Sequence, residues 1–92
     1  MRYHDMVKLF RVLAGRKRLQ ILSLLADGRE RSVGSIAEAI KLSLKSTTKH
    51  LLLLAQVDLL EYRRQKNVVW YRAVEHEPSF LRPVMHKVRS AR

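Results

Sequence analysis

The chain has 92 residues, with 19 Lys and Arg against 8 Asp and Glu, a net charge of +11 and no Cys. That length fits one domain, and the absence of cysteine excludes disulfides, thiolate metal sites and cysteine catalysis. With 47% hydrophobic residues it is no disordered basic tail, and its charge calls for an anionic partner, nucleic acid ahead of a membrane surface.

No apolar stretch approaches the roughly 18 residues of a transmembrane helix. The start, Met1-Arg2-Tyr3-His4-Asp5, lacks the charged-then-apolar order of a signal peptide. The expected location is therefore the cytoplasm.

In chain order, Met6, Leu9, Phe10 and Leu13 form an i, i+3, i+4, i+7 stripe that predicts a helix from about Tyr3 to Ala14. Gly15 breaks it and can cap the next helix. The second stripe is Leu19, Leu22, Leu25 and Ala26, widened by Ile21 and Leu24, and it stops at Asp27-Gly28. Arg16-Lys17-Arg18 opens this helix against its dipole, which costs about 0.3–1 kcal/mol per exposed cation. An anionic neighbour is expected there, either phosphate or an internal carboxylate such as Glu38. Arg29-Glu30-Arg31 reads as a polar loop.

Ser32 can cap a third helix, Val33 to Ile40, with Val33, Ile36, Ala37 and Ile40 inward. Lys41-Leu42 makes a tight turn, and Ser43 can cap a fourth helix, Leu44 to about Gln56. Two short helices joined so closely are the helix-turn-helix arrangement. The period then changes: Leu60/Tyr62 and Val69/Tyr71 alternate as strands do, around a polar turn at Gln65-Lys66-Asn67. Pro78 precedes a last helix containing Phe80, Leu81, Val84, Met85 and Val88, in which Pro83 is tolerated only near the first turn. The expected fold is mainly α with a small β-hairpin wing, a winged helix-turn-helix of about five helices. It fills residues 1–92 as a single domain, with the helix-turn-helix at about 33–56 and the wing at about 59–73.

On the fourth helix Thr47, Leu51 and Leu54 share one side, while Lys45, Ser46, Lys49 and Gln56 share the other, with Thr48 at the margin. The polar side is densest in the first two turns, the end of a recognition helix that meets bases. Lys45 and Lys49 suit guanine edges or phosphates, and Ser46 and Thr48 are short donors. The hairpin carries Arg63, Arg64, Lys66 and Asn67 at or beside its tip, placed to lie on phosphate or enter a minor groove. The same charges would also guard an exposed strand edge. Candidate DNA-binding residues are thus Lys45, Ser46, Thr48, Lys49, Arg63, Arg64, Lys66 and Asn67.

His50 lies between the two sides and reads as a packed or hydrogen-bonded structural histidine. His4, His76 and His86 are scattered without metal-ligand spacing. No Gly-rich phosphate loop, triad or paired carboxylates occur, so no enzyme, metal site or cofactor is expected.

Three stretches resemble the ArsR-type winged-helix transcriptional repressors. They are Leu13-Ala14-Gly15-Arg16-Lys17-Arg18-Leu19-Gln20-Ile21-Leu22, then Ser32 to Ile40, then Leu42 through His50-Leu51 and Leu54 to Tyr71-Arg72. The resemblance implies a cytoplasmic homodimer that binds double-stranded DNA at an imperfect palindrome, with its first and last helices as the interface. The metal-ligand patterns of the family's sensing forms are missing. Asp58 and Lys66 stand where the family usually has Gly, and Leu44 where a polar residue is common. Four consecutive leucines cannot all face one core on a 3.6-residue period. Leu52 or Leu53 is therefore expected against the dimer partner or the wing base. The function expected is a sequence-specific transcriptional regulator, a dimeric repressor. The alternatives are a non-specific architectural DNA-binding protein or a winged-helix protein-interaction module.

Overall fold

The computed structural model describes residues 1–91. Helix α1 (Tyr3–Leu13) is followed by α2 (Arg16–Leu24), a short 3-10 turn (Leu25–Asp27), strand β1 (Arg31–Ser32), α3 (Val33–Ile40) and α4 (Leu44–Gln56). The hairpin β2 (Leu60–Gln65) and β3 (Val68–Ala73) comes next, then a 3-10 turn (Ser79–Leu81) and α5 (Arg82–Ser90). The boundaries of α3 and α4 agree with those expected from the caps. Ser32 Oγ accepts from the Ser35 N–H, and Ser43 Oγ from the Ser46 N–H, each at 3.1 Å. Each bond satisfies a donor that a helix start would otherwise leave open.

Helices α3 and α4 end in the same way. Lys41 (φ 57°) and Asp58 (φ 60°) are left-handed, and the next amide reaches back five residues, from Leu42 to the Ala37 carbonyl and from Leu59 to the Leu54 carbonyl. This Schellman closure usually employs glycine, because a Cβ in that conformation costs roughly 1–2 kcal/mol. It turns the chain sharply enough to separate α3 from α4 by only three residues.

The polar loop expected at residues 29–31 is in part a strand. Arg31 and Ser32 pair antiparallel with Tyr71 and Trp70, giving a three-stranded sheet in the order β1-β3-β2. A two-residue strand has no period to detect, and its place is decided by pairing at a distance. The wing turn is also tighter than expected. Gln65 pairs with Val68, leaving Lys66 (φ 48°) and Asn67 (φ 60°) as a two-residue turn. Two positive φ angles in succession match the twist of the flanking strands.

The core is built from α1 (Leu9, Val12, Leu13), α2 (Ile21, Leu22), α3 (Ile36, Ile40), α4 (Leu51, Leu54), the wing base (Leu59, Leu60, Tyr71) and α5 (Met85, Val88). At about 1.5–3 kcal/mol for each fully buried large aliphatic side chain, these contacts are the main support for such short helices. Two expectations about facing are corrected. Phe10 is 48% exposed while Val12 is buried, and Leu19 is exposed while Ile21 is fully buried. In both helices the stripe toward the core is rotated from the one expected, so an apolar residue at its edge is left outside.

Candidate nucleic-acid interface

Helix α4 presents two chemically distinct sides. Thr47, Leu51 and Leu54 are completely buried, whereas Lys45 and Lys49 are exposed and Ser46 and Thr48 half-buried. Lys45 and Lys49 make no ion pair or side-chain hydrogen bond among the described residues, so both ammonium groups are available at the capped, N-terminal half of the helix. Leu52 and Leu53 are 40% and 36% exposed, so the wing base does not cover them.

The wing has two faces of unlike charge. Leu60, Tyr62 and Arg64 alternate onto the side that continues into the core, opposite Ala73, Tyr71 and Val69. The Tyr62 and Tyr71 rings lie 5.1 Å apart there. Burial, and then Tyr62, raises the Tyr71 phenol above its ordinary pKa, so it stays neutral. The other side is a ladder of ion pairs. Arg63 reaches both carboxylate oxygens of Glu30, at 2.7 and 3.0 Å, donates to Gln65 Oε1 at 2.6 Å and lies 5.9 Å from the Trp70 ring centre. Arg72 pairs with Glu61 at 2.6 Å. The hydrogen bond from Arg63 holds the Glu30 carboxyl below its ordinary pKa, and the same bond raises Arg63 further.

This arrangement separates the eight candidate residues. Lys45, Ser46, Thr48 and Lys49 share the first turns of α4. Arg64, Lys66 and Asn67 are exposed at or near the wing tip and outside the ion-pair ladder. Arg63 lies on the opposite wing face, with its guanidinium engaged by Glu30. Nothing in the sequence pointed to Glu30 as its partner, because the two are 33 residues apart and meet only through the short strand β1.

Among the described residues no carboxylate, Glu38 included, pairs with the basic run at the start of α2. Lys17 Nζ donates to the Ile40 carbonyl at 2.7 Å, at the end of α3. Arg18 donates through Nε to the Val12 carbonyl and through Nη2 to the Arg11 carbonyl, at the end of α1. Both cations thus answer the negative ends of neighbouring helices. Arg18 Nη1 also donates to His50 Nδ1 at 3.0 Å. Since arginine cannot accept, the His50 ring accepts at Nδ1 and carries its proton on Nε2. Burial first, then Arg18 and Lys49, hold this imidazole below its ordinary value of 6.5. His50 is thus a neutral link between α2 and α4, the structural role expected for it.

Among the described residues no cluster of three or more His, Asp or Glu is placed to hold a metal ion, and no helix is long and apolar enough to cross a membrane.

Residues 16–62 match the family described as bacterial regulatory protein, arsR family. The chain is 30% identical over 82 residues to the transcriptional activator HlyU of Vibrio cholerae, covering 89% of this chain and 75% of that protein. It is 35% identical over 74 residues to the arsenical resistance operon repressor of Escherichia coli, covering 80% of this chain and 63% of the repressor. Its fold is similar to the solution structure of the homodimeric winged helix-turn-helix DNA-binding domain of Mycobacterium bovis Mb0332. The TM-score is 0.75 at 31% identity, over 94% of this chain and 76% of that one.

Proposed function

The chain belongs to the arsR family of bacterial regulatory proteins, and we propose from that premise that it represses transcription as a homodimer bound to a specific, imperfectly palindromic DNA site. The observation that carries this reading is the pairing of two unneutralised lysines on the leading half of α4 with a wing tip bearing Arg64, Lys66 and Asn67. In this reading Lys45, Ser46, Thr48 and Lys49 enter the major groove. Arg64, Lys66 and Asn67 brace on the adjoining backbone. Arg63 joins them only by leaving Glu30.

Dimerisation is supported by apolar surface left open on the two terminal helices. Tyr3, Val7 and Phe10 recur at helical spacing on α1, and Phe80, in the 3-10 turn before α5, and Val84, in its first turn, lie exposed. A two-fold dimer would set its two recognition helices in successive major grooves, roughly 10–10.5 base pairs apart. Repression by occupying a promoter is consistent with the similarity to the arsenical resistance operon repressor, and the cytoplasm is where such a protein would meet its DNA.

Selection of bound duplexes from a random pool, followed by titration against selected and random duplex across salt concentrations, tests this directly. The expected result is a palindromic preference with a steep salt dependence. Equal affinity for both duplexes would favour an architectural protein, and no binding at all a protein-interaction module.

A further inference from the structure

Leu44 is 60% exposed at the first position of α4, on the end that leads toward DNA. Four residues on, Thr48 is half-buried, and four residues further Leu52 is exposed. Residues at that spacing follow one ridge of a helix, so the two leucines and the threonine share an edge of α4 beside the polar strip of Lys45 and Lys49. A polar residue at Leu44 or Leu52 would cost the fold little, because neither side chain is in the core. Aligned exposed apolar groups of this kind mark a contact surface.

The charges around the ridge select its occupant. Lys45 and Lys49 flank it, and the exposed Lys41 sits in the turn just before it. A protein groove receiving the ridge would have to desolvate these ammonium groups, whereas phosphates would neutralise them. In the major groove the one apolar feature on a base edge is the C5 methyl of thymine.

We propose that Leu44, the methyl of Thr48 and Leu52 read thymine methyl groups, making the target a site with thymines along the track of this ridge. The inference rests on the DNA-binding reading above and deepens it. Successive members of the ridge are about 6 Å apart along the helix axis. Stacked bases are about 3.4 Å apart. A ridge of this length, about 12 Å from Leu44 to Leu52, can therefore face more than one thymine of a half-site.

The test uses the duplex selected from the random pool, with each thymine replaced in turn by deoxyuridine, which removes only the methyl. A contacted methyl lost from a packed apolar contact should weaken binding about fourfold. L44A and L52A should each abolish the penalty at their own positions. L53A, on the other flank of the helix, should leave every penalty in place, and K49A should lower affinity while keeping the methyl dependence. The proposal is overturned if deoxyuridine is tolerated within twofold at every position of a duplex still bound selectively, or if the full penalties persist in L44A and L52A. Failure to select any duplex would overturn the DNA-binding reading beneath it as well, which distinguishes the two failures.

Discussion

Replacing Gly15 by alanine sets two effects of opposite sign against each other. Gly15 has φ −143° and ψ 125°, an extended conformation open to any residue. On backbone grounds alone alanine should stabilise the fold by about 0.4–1 kcal/mol, by restricting the unfolded chain. Packing points the other way. A methyl on Gly15 would stand 2.6 to 2.9 Å from the guanidinium atoms of Arg18. That guanidinium is held on three sides, by the Val12 and Arg11 carbonyls and by His50 Nδ1. It cannot retreat without giving up hydrogen bonds to a charged donor, worth about 1.5–3 kcal/mol each when well formed. Losing one or both of the partly buried bonds, to Val12 and His50, outweighs the gain, for a net destabilisation of about 2 kcal/mol. In a domain of this size that lowers the melting temperature by about 8–16 °C. Urea denaturation of the wild type, Gly15→Ala, Arg18→Ala and the double variant measures it. The cost should appear in the wild-type background and largely vanish in the Arg18→Ala background. A neutral Gly15→Ala, or an equal cost in both backgrounds, would refute the claim that Arg18 is pinned where the methyl must go.

Other expectations follow from the same geometry. The buried Thr47 hydroxyl has no hydrogen-bond partner among the described residues, so Thr47→Val should stabilise the fold by about 1 kcal/mol, read as a higher urea midpoint at unchanged slope. His50 is held below its ordinary value of 6.5, so the unfolded chain takes up the proton first as pH falls. The contribution of His50 is complete above pH 6.5 and is lost as pH drops from there through the folded value. Asp27 and Glu30, held below 3.8 and 4.5, lose theirs only at lower pH. His50→Gln should therefore flatten the fall in melting temperature as pH drops below about 7, and an unchanged slope would count against a partly buried, neutral His50. On the DNA side, Arg64→Ala should reduce the slope of log affinity against log salt by about one. Arg63→Ala should change it less, because Glu30 already neutralises that charge, and Glu30→Gln should steepen it. Equal slopes for the two arginine variants would show that the Glu30 pair does not survive binding.

Much of the fold was legible in the sequence because it is written in local chemistry. The caps Ser32 and Ser43, the 3.6-residue spacing of Ile36, Ile40, Leu51 and Leu54, and the change to period two at Leu60 act within one or two turns of chain. They specify α3, α4 and the wing almost to the residue, together with the polar side of α4 that makes it the candidate reader. The strength of that pattern also misled where two apolar residues competed for one inward position. Phe10 and Leu19 lost to Val12 and Ile21 because the packing of whole helices, not spacing alone, determines which edge of a stripe faces the core.

What only the tertiary structure decided are the pairings between segments far apart in the chain. Arg31–Ser32 becomes a strand because β3 offers it a partner. Glu30 then meets Arg63 and removes it from the free charges of the wing. Lys17 and Arg18, basic residues in a strongly basic chain, point inward to the carbonyl ends of α3 and α1. By itself the sequence determined the helices and the wing hairpin, the excess of positive charge and the polar, basic side of α4 proposed to meet DNA. It could not determine which cations are already satisfied, because a charge is neutralised by whatever the fold brings within about 4 Å, and that distance bears no relation to separation along the chain.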